Sequence, residues 1–139
     1  MINTINMKDM RYLNLFAKTT GVSTRFCSKY NDFIVFSVPK RFVSKAIGEG
    51  GKNVRLIHNI LGKRIKIIPM PNGIEHIKPF IETIVEPVTF KSIEISNNEV
   101  ILVAGGTQSK AMLLGREKRR LLEMQSIIKN FFGKDYRIV

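Results

Sequence analysis

The residues best placed to do chemistry lie in one stretch, Ala46-Ile47-Gly48-Glu49-Gly50-Gly51-Lys52-Asn53-Val54-Arg55. Three glycines within four residues remove the Cβ clash, so the chain can turn sharply there and let a ligand approach its backbone closely. A basic, helix-compatible run follows directly. Backbone N–H groups, the positive end of a helix dipole and two side-chain cations then surround one small concavity, which suits an anion such as phosphate. Spacing rules out two familiar phosphate loops. Counting back from Gly51-Lys52, a Walker loop needs glycine where Ala46 stands and Ser or Thr where Asn53 stands. A dinucleotide fingerprint starting at Gly48 needs glycine at position 53. What remains is Gly-x-x-Gly between two helices, which is either an ordinary surface turn or a loop that holds the phosphates of single-stranded nucleic acid; the flanking elements decide between them.

The charge balance agrees with a polyanionic partner. The chain has 139 residues, with 23 Lys+Arg against 11 Asp+Glu and a formal charge of +12. That surplus without a hydrophobic anchor favours nucleic acid over membrane. Up to Met70 there are 13 cations and 3 carboxylates; from Pro71 onward there are 10 and 8. The cationic surface therefore belongs to the half carrying the glycine loop. No apolar run is long enough to span a bilayer, and no signal-peptide core is evident. Cys27 is the single cysteine, which excludes an internal disulfide and, with two histidines, leaves too few ligands for a Cys/His zinc site. No metal, cofactor or catalytic group is expected, because neither a carboxylate pair nor a Ser/His/Asp or Cys/His grouping stands out. The expected setting is cytoplasmic.

The elements that must position the loop follow from periodicity. Met10, Leu13, Phe16 and Ala17 predict an amphipathic helix over roughly 6–19. A strand compatible with 23–29, turn residues Tyr30-Asn31-Asp32 and the β-branched and aromatic run 33–38 predict a hairpin. Pro39 ends that run, a short helix covers 41–47, and a second helix covers about 52–61 with Gly62 as its cap. Residues 63–68 alternate as a strand. Pro69-Met70-Pro71-Asn72-Gly73 then forms a short, stiff boundary, so the two sides are expected to pack closely.

Beyond it the order starts again: a helix around Ile77–Val85 that contains Pro79, strands over 88–96 and 99–103, a short helix over 108–114, a longer one over 116–132, and a strand over 135–139. Ala104-Gly105-Gly106-Thr107 reads as a connection between strand and helix. The repeat has a measurable register. Gly48 and Gly115 are 67 apart (115 − 48), as are Val54 and Leu121, whereas Gly62 and Gly133 are 71 apart (133 − 62). The second copy gains four residues, about one helical turn, which keeps its apolar face in place.

Helix, hairpin, helix, Gly-x-x-Gly, helix, strand, twice in one chain, resembles tandem type II KH domains, and Ala46–Val54 resembles the loop of archaeal NusA-like transcription factors. The resemblance implies an α+β fold with one KH domain over 1–70 and another over 71–139. It also implies binding of single-stranded RNA in transcription elongation, pausing, termination or antitermination, with RNA polymerase as a partner. A monomer is expected. Lys45, Lys52 and Arg55, with the backbone of Gly48, Glu49, Gly50 and Gly51, would hold phosphates; Asn53 belongs to the same run. Ile47, Val54, Ile65 and Ile67 would carry bases, whose edges would bond the strand Arg64-Ile65-Lys66-Ile67. The second loop reads Gly115-Arg116-Glu117-Lys118, with lysine in place of the last glycine. Because Lys118 has a Cβ, close backbone approach is not expected there. Lys110, Gly115, Arg116, Lys118, Arg119 and Arg120 mark a supporting RNA surface instead. A ribosome-associated or ribosome-assembly protein binding rRNA is the alternative, since ribosomal proteins also use this domain.

Overall fold

The computed structural model describes residues 7–139 and the side chains from Asp9 onward; the predicted start of the first helix at position 6 lies outside these residues. The chain divides into two compact units between Asn72 and Gly73. The first runs α1 (Met7–Thr20), β1 (Phe26–Tyr30), β2 (Phe33–Val38), α2 (Val43–Ile47), α3 (Lys52–Leu61) and β3 (Arg64–Pro69). The second repeats the order as α4 (Ile77–Val85), β4 (Ser92–Ile95), β5 (Glu99–Val103), α5 (Thr107–Leu114), α6 (Arg119–Phe132) and β6 (Asp135–Ile138). The protein is thus α+β, with two small three-stranded sheets.

In the first sheet β2 is central. It pairs antiparallel with β1 through the turn at Asn31 and Asp32, and parallel with β3. The parallel partner requires a crossover, and α2 and α3 supply it. The core joins Leu13 and Phe16 of α1, Ile34, Phe36 and Val38 of β2, Ala46 of α2, Ile57 of α3 and Ile65 of β3. Phe16 and Phe36 stack with ring centroids 4.3 Å apart, which fixes α1 on the sheet. The second sheet has the same order, β4 and β6 flanking β5. Its buried residues include Ile81, Val100, Leu102, Leu113, Met124 and Ile128, and Phe80 meets Phe131 at 4.9 Å.

The differences from the sequence expectations have local causes. Pro39 and Gly73 each precede a single 3-10 turn; α2 therefore starts at Val43 instead of 41, whereas α4 starts at Ile77 as expected. Pro79 is the third residue of α4, where its missing N–H would have had no helical acceptor, so the helix begins two residues before it. β1 is shifted to 26–30, and β4 covers only 92–95 of the expected 88–96. The long helix begins at Arg119 instead of 116, because residues 115–118 form the loop itself.

Candidate functional site

The loop between α2 and α3 is built from left-handed residues. Gly48 (φ 82°, ψ 162°) ends α2, Gly50 (60°, 19°) and Gly51 (77°, 20°) turn the chain, and Lys52 (−61°, −38°) starts α3. The Gly51 N–H donates to Gly48 O at 3.0 Å, closing the turn. A left-handed residue followed by a right-handed one aims successive N–H groups into one concavity, and the start of α3 adds its dipole. The three glycines differ in their surroundings. A Cβ at Gly48 would lie 3.0 Å from the Asn53 side chain, whereas one at Gly50 would meet nothing within 4 Å. Gly50 therefore marks the open side, where an anion can come against the backbone.

Asn53 has a job that its place in the motif does not reveal. It is 9% exposed, and its Nδ2 donates to Ala46 O at 3.1 Å and to Lys45 O at 3.3 Å. Those are among the last carbonyls of α2, which lack helical donors. The amide thus ties the end of α2 to the start of α3 and sets the width of the turn. Arg55, one turn into α3, donates from Nη1 to Gly50 O, bringing its charge back over the loop. Its other N–H groups can serve a ligand.

Lys52 and Glu49 are exposed beside the loop. Lys45 is exposed too, but its ammonium lies against Gly21 at the end of α1, where helix carbonyls favour a cation. Ile47 and Val54 are half-buried.

The edge of the first sheet is β3. Met70 donates its N–H to Val38 O, and in a parallel ladder every second residue turns both backbone groups to its neighbour. Arg64, Lys66 and Ile68 therefore bond β2, and Ile65, Ile67 and Pro69 turn theirs outward. Side chains alternate as well: those of Ile65 and Ile67 pack with the helix-side core, while Arg64 and Lys66 lie over the Phe33 ring at 4.3 and 5.1 Å from its centroid. Of the predicted strand residues, Ile65 and Ile67 present free-edge backbone; Arg64 and Lys66 are directed to the other face.

The second loop keeps the backbone of the first. Gly115 (75°, 171°) matches Gly48, and Glu117 (56°, 29°) and Lys118 (59°, 27°) occupy the left-handed region just as Gly50 and Gly51 do. The Lys118 N–H donates to Gly115 O at 3.1 Å, reproducing the first turn. The turn holds Glu117 and Lys118 left-handed despite their Cβ atoms, at about 1–2 kcal/mol for each side chain. Arg120 takes the position of Asn53. Its Nε pairs with Glu123 at 2.8 Å, its side chain is only 13% exposed, and its Cγ lies 2.6 Å from where a Gly115 Cβ would stand. Arg120 thus packs under the loop, leaving Lys110, Arg116, Lys118 and Arg119 as the exposed cations there.

Cys27 is half-buried on β1, and its thiol is pushed up to about 12 by burial and then by the nearby Asp9 carboxylate, so it stays neutral and unreactive. His58 and His76 are exposed, and the His58 Nδ1 sits 2.9 Å from Lys63 O. Among the described residues no group of three His, Cys, Asp or Glu side chains is placed to hold a metal, and no helix is long and apolar enough to cross a membrane.

No family model matches the chain. Over 120 residues, 84% of this chain and 68% of the relative, it is 27% identical to the probable transcription termination protein NusA of Methanococcus vannielii. Its fold is similar to that in the crystal structure of APE1850, with a TM-score of 0.67 at 21% identity, covering 97% of this chain and 99% of that one.

Proposed function

We propose that the chain consists of two type II KH domains and binds single-stranded RNA as a transcription factor acting with RNA polymerase in elongation, pausing, termination or antitermination. The observation that carries the reading is the duplicated loop. The same left-handed turn precedes a basic helix in both units, and in the first it lies in a half with 13 cations against 3 carboxylates. The similarity to a probable transcription termination protein supports the transcriptional setting.

In the first unit, phosphates would meet the turn at Gly50 and Gly51, with Lys52 and Arg55 supplying charge. Such contacts position a strand without reading it. Bases would then lie on Ile47 and Val54, with their edges towards the outward N–H and C=O groups of Ile65 and Ile67. A single small groove holds few nucleotides, so two units on one RNA gain affinity through effective concentration. No covalent step is needed, and the protein is proposed to be a binding factor, not an enzyme.

The test uses the open space at Gly50. Gly50→Asp and Gly50→Asn place side chains of the same shape where nothing stands within 4 Å, and both residue types tolerate the left-handed region. Only the aspartate adds a negative charge to the phosphate site. Fluorescence anisotropy with short single-stranded RNA, double-stranded RNA and single-stranded DNA should show preference for single-stranded RNA. Gly50→Asp should lose about tenfold or more relative to Gly50→Asn, a difference of about 1.4 kcal/mol. Equal affinity of the two folded variants would overturn the clamp. Co-purification tests the partner: polymerase subunits are expected, and small ribosomal subunits in their place would overturn the transcriptional reading.

A further inference from the structure

The two units are alike at their phosphate loops but differ at the strand edge beside them. In the second sheet, Asp135 donates to Asn98 O and Val139 to Leu102 O, so the odd residues of β6 face β5. Tyr136 and Ile138 turn their backbone groups to the free edge, as Ile65 and Ile67 do in β3. There the likeness ends. Gln125 of α6 donates from Nε2 to Tyr136 O at 3.1 Å, occupying the acceptor that corresponds to Ile65 O. Alongside, Lys129 pairs with Asp135 at 3.5 Å, and the Lys134 ammonium donates to Ser96 O and Asn97 O at 2.9 and 2.7 Å. In the first unit the residue equally far from the loop is His58, which lies against Lys63 O and not against the strand edge.

We propose that the second unit grips RNA through its phosphates alone: Gln125 closes the strand edge that would read a base, and base selectivity resides in the first unit. The proposal rests on the RNA-binding reading above and assigns a division of labour within it. A strand edge distinguishes one base from another through donors and acceptors that are available to the base edge. At Tyr136 the carbonyl already accepts the Gln125 amide, so a base donor there must displace that amide or share the carbonyl beside it, at the one remaining lone pair. The loop of the same unit lacks no grip. Lys110, Arg116, Lys118 and Arg119 are exposed around a turn with the geometry of the first, and charge contacts of this kind carry affinity but no sequence information. The result is a pair in which one member selects and the other holds.

The experiment compares four homopolymeric single-stranded RNAs of equal length by anisotropy. Wild type should discriminate among the four. Gly50→Asp, which disables the first clamp, should bind all four weakly and equally, within about twofold, with a steep fall in salt. Adding Gln125→Ala to Gly50→Asp should restore discrimination between best and worst homopolymer to about fivefold, the worth of one neutral hydrogen bond. Gln125→Glu, which keeps the shape but cannot donate to Tyr136 O, should act in the same direction. A Gly50→Asp protein that still discriminates as wild type does, or Gln125 variants that leave the four affinities equal, would overturn the proposal. Undiminished affinity of Gly50→Asp would instead count against the clamp itself, so the two failures are distinguishable. A readout that needs no variant is the side-chain amide resonance of Gln125 in the full chain. It should stay unshifted and slow to exchange when RNA saturates the protein, and displacement of that signal would also overturn the proposal.

Discussion

Replacing Gly48 by alanine should destabilise the first unit far more than replacing Gly50, although both glycines have positive φ in the same loop. Gly48 sits at φ 82° and ψ 162°, a region that only glycine enters readily, so strain alone costs about 1–3 kcal/mol. The added Cβ would also stand 3.0 Å from Asn53 Cγ, Asn53 Nδ2 and Lys52 Cγ. Lys52 is exposed and can move, but Asn53 is 9% exposed and braced on Ala46 O and Lys45 O. If the amide is pushed off, buried polar groups are left unpaired at about 1–3 kcal/mol. The total is about 2–6 kcal/mol, a large part of the roughly 5–15 kcal/mol that holds a typical domain. Gly50→Ala meets open space, so its strain of about 1–2 kcal/mol is reduced by the lower entropy of the unfolded chain and nets about 1 kcal/mol or less. Urea unfolding of the full chain, with amide exchange in α3 to localise the effect, measures both. Costs for Gly48→Ala and Gly50→Ala within about 0.5 kcal/mol of each other would refute the reasoning, since that is the additivity error of such measurements. A cycle with Asn53→Ala tests the route: if the clash acts through Asn53, the double variant should cost well under the sum.

Lys118→Gly should stabilise the second unit by about 0.5–1 kcal/mol, the relief of a left-handed side chain less the extra backbone entropy of glycine; urea unfolding reads the sign. Arg116→Ala and Arg119→Ala should each lower the slope of log affinity against log salt by about 0.7 for single-stranded RNA if each neutralises one phosphate, while leaving the ranking of RNA sequences unchanged. Cys27 in the folded chain should resist thiol reagents at pH 8 and react fully in urea. Its proton is held in the folded state to about pH 12 against an unfolded value near 9.0, so this contribution is fully present below pH 9 and is lost as pH rises towards 12. Unfolding free energies between pH 8 and pH 11 should fall in wild type and fall less in Cys27→Ala.

The sequence showed the repeat because its signals are local. Gly48 and Gly115 terminate helices at matched offsets, Pro and Gly cluster at 69–73, and the run 33–38 has nothing but strand character. The four-residue gain of the second copy corresponds to a real turn, α6 having 14 residues against 10 in α3. What stayed hidden depends on contacts between elements. Asn53 looks like a ligand group in the string and is a brace in the fold, because only the approach of α2 brings two orphan carbonyls to its amide. Glu117 and Lys118 carry no sequence mark of the left-handed region, which closure of the turn imposes on them. The alternation of β3 separates Arg64 and Lys66 from Ile65 and Ile67, yet which pair turns its backbone outward follows only from the register with β2. The 67-residue offset does place Arg120 opposite Asn53, and that correspondence was the one available clue that Arg120 is covered.

Bulk charge is a poor guide to where the second half is cationic. That half has 10 cations and 8 carboxylates, a surplus of only 2. Three of its cations, Arg120, Lys129 and Arg137, are paired with Glu123, Asp135 and Glu99. Around its loop, by contrast, Lys110, Arg116, Lys118 and Arg119 are exposed, and Glu117 is the one carboxylate in the sequence from Lys110 to Arg119. The loop is therefore more positive than the half that contains it. It also matches the first loop, where Lys52 and Arg55 stand beside Glu49. Losing the last glycine has removed neither the turn nor its field. What distinguishes the second unit is the strand edge next to the loop, where Gln125 has taken the carbonyl of Tyr136. A charged loop beside an occupied strand edge is the physical form expected under the proposed division, in which the second unit holds whatever RNA the first selects.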